Sequence, residues 1–373
     1  SVFAGKTIAP MLGNGASTSS IAGTFNFGQR PFTYTPPTGF KTLHTGNLPD
    51  SAIKNGSAYF NTVLYTGNAV QDRAVTGFDF DLDLGWVKSR SNAGSHVLVN
   101  SVSGGDKQLF SNLTDAEQTN IDITNGFTTG GLILGDNVSG TGSTNQSGYT
   151  YALWGWKAGG AAVTNTAGSI TSQVSASPTA GFSVVTYTGT GANATVGHGL
   201  GAAPSMVIVK CRSTGPTLWP VIHKDISAAT YINLQSTIAA TSSTSMWNST
   251  YPTSTVVSIG TSSHTNTSGN TYVAYCFSEV PGYSSFGSYV GNGSADGPFV
   301  YLGFRPAFVI TKRTDAATFS WRSLDNKMNP HNMAATILSP NGSSGEVTST
   351  TAGGYGIDFT SNGFKLRNTN TNT

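Results

Sequence analysis

Tyr187-Thr188-Gly189-Thr190-Gly191, followed by Leu200-Gly201, Pro204, Val207-Ile208, Lys210 and Trp219, is the stretch whose reading decides the fold. Moved forward by 102 residues without a gap, it meets Tyr289, Gly291, Gly293, Leu302-Gly303, Pro306, Val309-Ile310, Lys312 and Trp321. Moved back by 122, it meets Tyr65-Thr66-Gly67-Asn68 and Val87-Lys88-Ser89-Arg90. A second block agrees: Thr144-Asn145-Gln146-Ser147-Gly148-Tyr149-Thr150-Tyr151 aligns with Thr265-Asn266-Thr267-Ser268-Gly269-Asn270-Thr271-Tyr272. Recurrence of this kind means one structural unit was multiplied, so no single copy reads as a lone active site.

The apolar residues come in short runs, as at 182–187, 205–210, 271–277 and 299–302, rich in β-branched and aromatic side chains and punctuated by Gly, Pro and Ser/Thr clusters. That pattern predicts strands, and many short strands predict an all-β chain of tandem antiparallel β-sandwich modules of jelly-roll or lectin-like type. Only residues 115–120 and 329–337 read as able to hold a helical turn. The expected organisation is a non-repeated segment 1–50, repeat unit 1 over 51–160, a linker plus unit 2 over 161–280, and unit 3 over 281–373. Residues 157–180, rich in Ala, Gly, Ser and Thr, are the expected linker. Unit 3 lacks the closing Thr-Tyr strand of the other two, which predicts an unpaired sheet edge there, or a chain cut at that point.

Charged residues make up 10% of the chain, against about 25% in an ordinary domain. The formal net charge of +2, with no Lys/Arg cluster, argues against a nucleic-acid partner. No apolar run is long enough to span a membrane as a helix. The two cysteines, Cys211 and Cys276, align with non-cysteine positions in the other copies and read as unpaired small side chains, with a bridge inside unit 2 as the alternative.

Asn26-Phe27-Gly28-Gln29-Arg30-Pro31-Phe32, followed by Tyr34-Thr35-Pro36-Pro37-Thr38-Gly39-Phe40-Lys41 and Asn47-Leu48-Pro49, resembles the closing part of the SPRY-like domains in structural proteins of marine tailed phages. Tyr65-Thr66-Gly67-Asn68, Trp86-Val87-Lys88-Ser89-Arg90-Ser91 and Trp154-Gly155-Trp156-Lys157-Ala158-Gly159 resemble the repeated module that follows such domains. The resemblance implies a virion component of tail-fibre, spike or capsid-fibre type, assembled with other virion proteins, often as a homotrimer, and with no catalytic residues to carry over. It departs at Gly77-Phe78-Asp79-Phe80-Asp81-Leu82-Asp83, where such modules usually carry Gly-Phe-Gln-Pro-Asp. A secreted or cell-surface bacterial adhesin is the other class considered.

Asp79, Asp81 and Asp83 have the spacing that opens a calcium loop, but Leu84 stands where its glycine belongs and Arg90 where its glutamate belongs. Alternation with Phe80, Leu82 and Leu84 reads instead as the charged face of an edge strand. Trp247 and Tyr251, in a Ser/Thr-rich stretch whose aligned part in unit 3 has no aromatic, are the candidate platform for stacking a host-surface glycan. Hydrolase chemistry finds little support: the glutamates Glu117, Glu279 and Glu346 fall in different units, and His223-Lys224-Asp225 reads as strand neighbours facing opposite ways. Lys88, Lys210 and Lys312 read as strand ends reaching solvent, and Trp219 and Trp321 as packing residues. The sequence therefore predicts a non-enzymatic protein.

Overall fold

The structure, a computed structural model, describes residues 51–137, 143–351 and 354–370. The SPRY-like motif and the rest of segment 1–50 lie outside the described residues. Residues 51–373 form one compact body of short antiparallel strands, a nearly all-β fold of sandwich type.

In unit 1 the strands Phe60–Thr66, Thr150–Trp156, Leu84–Ser89, Val97–Asn100, Gly104–Phe110 and Gln118–Thr119 lie side by side in that order. Unit 2 repeats the order with Phe182–Thr188, Thr271–Phe277, Met206–Cys211, Pro220–His223, Thr230–Asn233 and Thr241–Ser242. Each large sheet faces a small one, Arg73–Thr76 with Gly131–Leu134 and Thr124–Thr128 in unit 1, and Ala194–Gly197 with Val256–Ile259 in unit 2. Residues 157–180 are not a linker: Val163–Asn165 and Ser172–Ser177 extend the large sheet of unit 2 beyond Phe182–Thr188. Ser172 and Ser175 lie on opposite faces of Ser172–Ser177, and both are buried and hydrogen-bonded, so no apolar alternation marks this strand in the sequence. Neither predicted helical turn forms; the short helices among the described residues are Thr244–Trp247 and Ser263–Asn266, with a 3-10 turn at Gly56–Ala58.

The repeated motif has a packing reason. Tyr65 stacks on Tyr151 at 5.1 Å and Tyr187 on Tyr272 at 5.2 Å, across the first and closing strands. The two leading hydroxyls donate to the carbonyls of Thr144 (2.6 Å) and Thr265 (2.7 Å). A Cβ on Gly67 or Gly189 would overlap the carbonyl oxygen of Gln146 or Thr267, so only glycine admits the turn that close. The buried amide of Asn266 ties that turn together, donating to the carbonyls of Ala192 (2.5 Å) and Gly260 (2.8 Å) and accepting from Thr190 N (2.7 Å). Replacing it, Asn266→Ala, leaves the buried Gly260 carbonyl without its donor and strips the exposed Thr190 N and Ala192 O of their Asn266 bonds, and is expected to lower stability by about 2 kcal/mol in urea denaturation. A loss under about 1 kcal/mol would contradict this role.

The large sheets are buried on both faces. Val87, Val97 and Leu153 point into the unit 1 sandwich, while Leu84, Trp86, Ala152 and Trp154 join Val184, Ile208, Trp219 and Tyr275 of unit 2 and Trp321, Met328 and Leu338 of unit 3 in one shared core. Unit 3 keeps the Phe308–Thr311 and Arg322–Asp325 hairpin and a small sheet of Phe299–Tyr301, Gly363–Leu366 and Ile357–Thr360.

Candidate functional site

The recurring basic and aromatic residues meet at three joints between units. Lys210, wholly buried, donates to Thr217 O (2.8 Å), Thr217 Oγ1 (2.7 Å) and, across the joint, the unit 1 carbonyl of Thr114 (2.9 Å). Trp219 Nε1 donates to Leu113 O at 3.0 Å. Arg212 makes a two-pronged pair with Glu117 at 2.7 and 2.8 Å, and Glu117 N donates to Arg212 O. At the next joint Trp321 Nε1 donates to Asn233 O of unit 2 (2.8 Å), and Ala240 N to Thr314 O. The ring closes between units 1 and 3: Lys88 Nζ reaches Ser343 O (3.1 Å), Arg90 pairs with Glu346 (2.7 Å), and Glu346 N donates to Arg90 O.

The expectation that these lysines end in solvent is therefore wrong for Lys88 and Lys210, which are fully buried. Each ammonium caps carbonyls at the end of a neighbouring loop, which a strand-by-strand reading cannot see. Burial pulls Lys88, Lys210 and Lys312 down to about 8. Trp219 and Trp321 pack in the shared core, as expected of aromatics repeated in register.

Unit 1 has valine at the tryptophan position, and His96 beside it fills the role. Its Nδ1 accepts from Trp86 Nε1 (2.8 Å), which leaves Nε2 to donate to Ser339 O of unit 3 (3.0 Å). Burial, reinforced by the Lys88 charge, holds this imidazole well below its usual range. The folded ring refuses a proton that the unfolded ring accepts below about pH 6.5, so stability falls with acidification by up to about 1.4 kcal/mol per pH unit from this residue. Hydrogen exchange between pH 6.5 and 5 should then show the Glu346 amide, at the unit 1–unit 3 joint, losing protection before the Glu117 amide at the unit 1–unit 2 joint. Asp325 braces the same two units, accepting from Thr62 Oγ1 (2.6 Å) and Trp154 Nε1 (3.0 Å); burial raises its carboxyl.

The three aspartates do not converge. Asp79 and Asp81 are exposed, and Asp81 accepts Gly130 N (3.0 Å). Asp83 is buried, accepting Ser101 Oγ (2.6 Å) and Ser175 Oγ (3.3 Å) on one oxygen and the backbone of Ala158 (2.6 Å) and Gly160 (3.2 Å) on the other. Among the described residues no group of three or more His, Cys, Asp or Glu side chains is placed to hold a metal ion. Phe80, Leu82 and Leu84 are inward as the alternation predicts, but Asp83 is buried between the two leucines instead of sharing an exposed face with Asp79 and Asp81, and residues 77–83 are not a strand. Asp83 instead anchors residues 157–160 to unit 1.

Trp247, expected as part of a glycan platform, instead ends the Thr244–Trp247 helix with no exposed surface, inside the unit 2 sandwich, and cannot stack on a sugar. The helical turn that folds it inward is too short for any periodicity to reveal. Tyr251 is 45% exposed, its hydroxyl donating to Ile226 O (2.7 Å). His223 ends a strand, but Lys224 and Asp225 lie in the following turn, where Lys224 pairs with Asp225 (3.1 Å) and Asp225 N donates to His223 Nδ1 (3.2 Å). Cys211 and Cys276 are free and buried in the unit 2 core, where burial pushes the Cys276 thiol up to about 12. Interior voids of about 10 Å³ beside Val185 and His198, and about 20 Å³ beside Trp86 and Tyr275, are of water size. No helix among the described residues is long and apolar enough to cross a membrane.

A family model described as a domain of unknown function, DUF7483, matches residues 55–373, and the chain belongs to that family. No curated protein and no solved structure matches.

Proposed function

We propose that this DUF7483 protein is a non-enzymatic virion component of fibre or spike type, whose sandwich units hold surface loops for attachment to a host-cell glycan. The observation that carries the reading is the closed ring of joints. Lys88, Lys210, Arg90, Arg212, Glu117, Glu346 and His96, the side chains chemistry would need, are engaged in bracing one unit against the next. A body braced in this way holds its loops rigid while their sequences vary freely. Homotrimerisation and contact with other virion proteins belong to the same proposal, on the phage resemblance. Adsorption of the purified protein to bacterial cells, and competition by added surface polysaccharide, tests it. Saturable, competed adsorption that weakens in Tyr251→Ala is expected; depolymerisation of the polysaccharide would overturn the non-enzymatic reading.

A second reading, a capsid-fibre or connector part with no receptor, is favoured by the burial of Trp247, which leaves Tyr251 without its proposed partner. Absence of adsorption by the complete protein, together with its incorporation into particles, would select it.

A further inference from the structure

In units 1 and 2 the Val-rich strand is flanked on both sides. Leu84–Ser89 lies between Val97–Asn100 and Thr150–Trp156, and Met206–Cys211 between Pro220–His223 and Thr271–Phe277. In unit 3 the equivalent Phe308–Thr311 pairs with Arg322–Asp325 alone, and its other edge has no backbone partner among the described residues. Residues 284–290, which the 102-residue shift places on Phe182–Thr188, form no strand beyond one bridge between Val280 and Ser284. Tyr289 has no stacked tyrosine and meets the edge of Phe364 at 6.2 Å instead.

The approach to this edge is nevertheless built. Asn145 Nδ2 donates to Gly135 O (2.8 Å) and Asn266 Nδ2 to Gly260 O (2.8 Å), five residues before each closing strand begins at Thr150 or Thr271. Asn368 Nδ2 makes the same bond to Gly356 O (2.9 Å) and is buried like its counterparts. On the inner side, Phe308 lies 5.8 Å from Trp154 and 5.6 Å from Phe60, at the shared core.

We propose that the Phe308–Thr311 edge is a docking site for one antiparallel strand of the closing type, Thr-Tyr-x-x-aromatic-small-aromatic, entering from the Asn368 side. That pattern is common to Thr150–Trp156 and Thr271–Phe277. By the register of unit 2, where Cys211 faces Tyr272 and Val209 faces Ala274, the incoming tyrosine sits opposite Arg313 and stacks on Tyr289, and the fourth residue faces Thr311. Its third and fifth residues turn toward the shared core, as Val273 and Tyr275 do. Main-chain bonds supply the affinity and the alternating side chains the selectivity. The inference is independent of the role in attachment proposed above.

The test uses the 373-residue chain in two arms. In one, a labelled peptide with the sequence of residues 266–277 is added, beside the same composition scrambled; in the other, the sequence of residues 272–277 is appended after Thr373. Saturable binding of the ordered peptide is expected, with amide exchange at residues 308–313 slowed at least about tenfold in both arms. The idea fails if the scrambled peptide binds equally, or if neither arm protects that edge. It also fails if the chain pairs with a second copy through the edge and the ordered peptide does not compete.

Discussion

Replacing Trp219 by alanine should lower the stability of the whole body, not of unit 2 alone, by about 4 kcal/mol. The indole is fully buried, packs with residues of three units, and donates to Leu113 O across a joint. Its removal empties a large volume that rigid sheets cannot close and leaves the Leu113 carbonyl without its donor, a further cost of about 1 kcal/mol or more. Trp219→Phe keeps most of the packing and loses the bond, so about half the effect is expected. Denaturant unfolding followed by fluorescence and by circular dichroism should give one transition, displaced equally in both signals. Separate unfolding of residues 161–280, with the rest retained, would show that the shared core does not couple the units.

The contrast between Trp219 and Trp247 shows what the sequence could disclose. A residue repeated in register is visible as scaffold because every copy must solve the same packing problem, and Trp219 and Trp321 do so at equivalent joints. Trp247 occurs once, in a stretch whose Ser/Thr content suggests exposure, and its burial depends on a helical turn with no pattern of its own. The strands were legible from β-branched and aromatic runs. The joints were not. Arg212 and Glu117 lie 95 residues apart, and nothing in a linear pattern says that unit 1 must also close on unit 3 through Arg90 and Glu346. The burial of these lysines is not legible for the same reason. A lysine at a strand end has solvent within reach in an isolated sandwich and loses it only when another unit covers that end.

Lys210→Met is expected to cost about 2 kcal/mol at pH 7, because a side chain of similar length fills the space but leaves Thr217 O without its donor and removes one of the two donors to Thr114 O, the other being Thr217 N. The dependence on pH is the sharper test. Lys88, Lys210 and Lys312 are pulled by burial to about 8, against 10.5 in the unfolded chain. Between those values the unfolded state binds protons that the folded state has released, so stability rises with pH. Two groups oppose this further up. The Cys276 thiol, ordinarily near 9, is pushed up to about 12, and buried tyrosines such as Tyr187 are raised well above 10. Both make the folded state hold protons the unfolded state has lost, which lowers stability above about pH 9. The clean window is therefore pH 8 to 9, where each lysine contributes at most about 1.4 kcal/mol per pH unit, and the half-buried Lys312 less through solvent screening. Urea midpoints measured across that window should climb in the parent protein and climb less in Lys210→Met, so the difference between the two grows with pH. A parent protein that is flat or loses stability from pH 8 to 9 would mean that the joint lysines keep their protons, and that the carbonyls around each ammonium outweigh its burial.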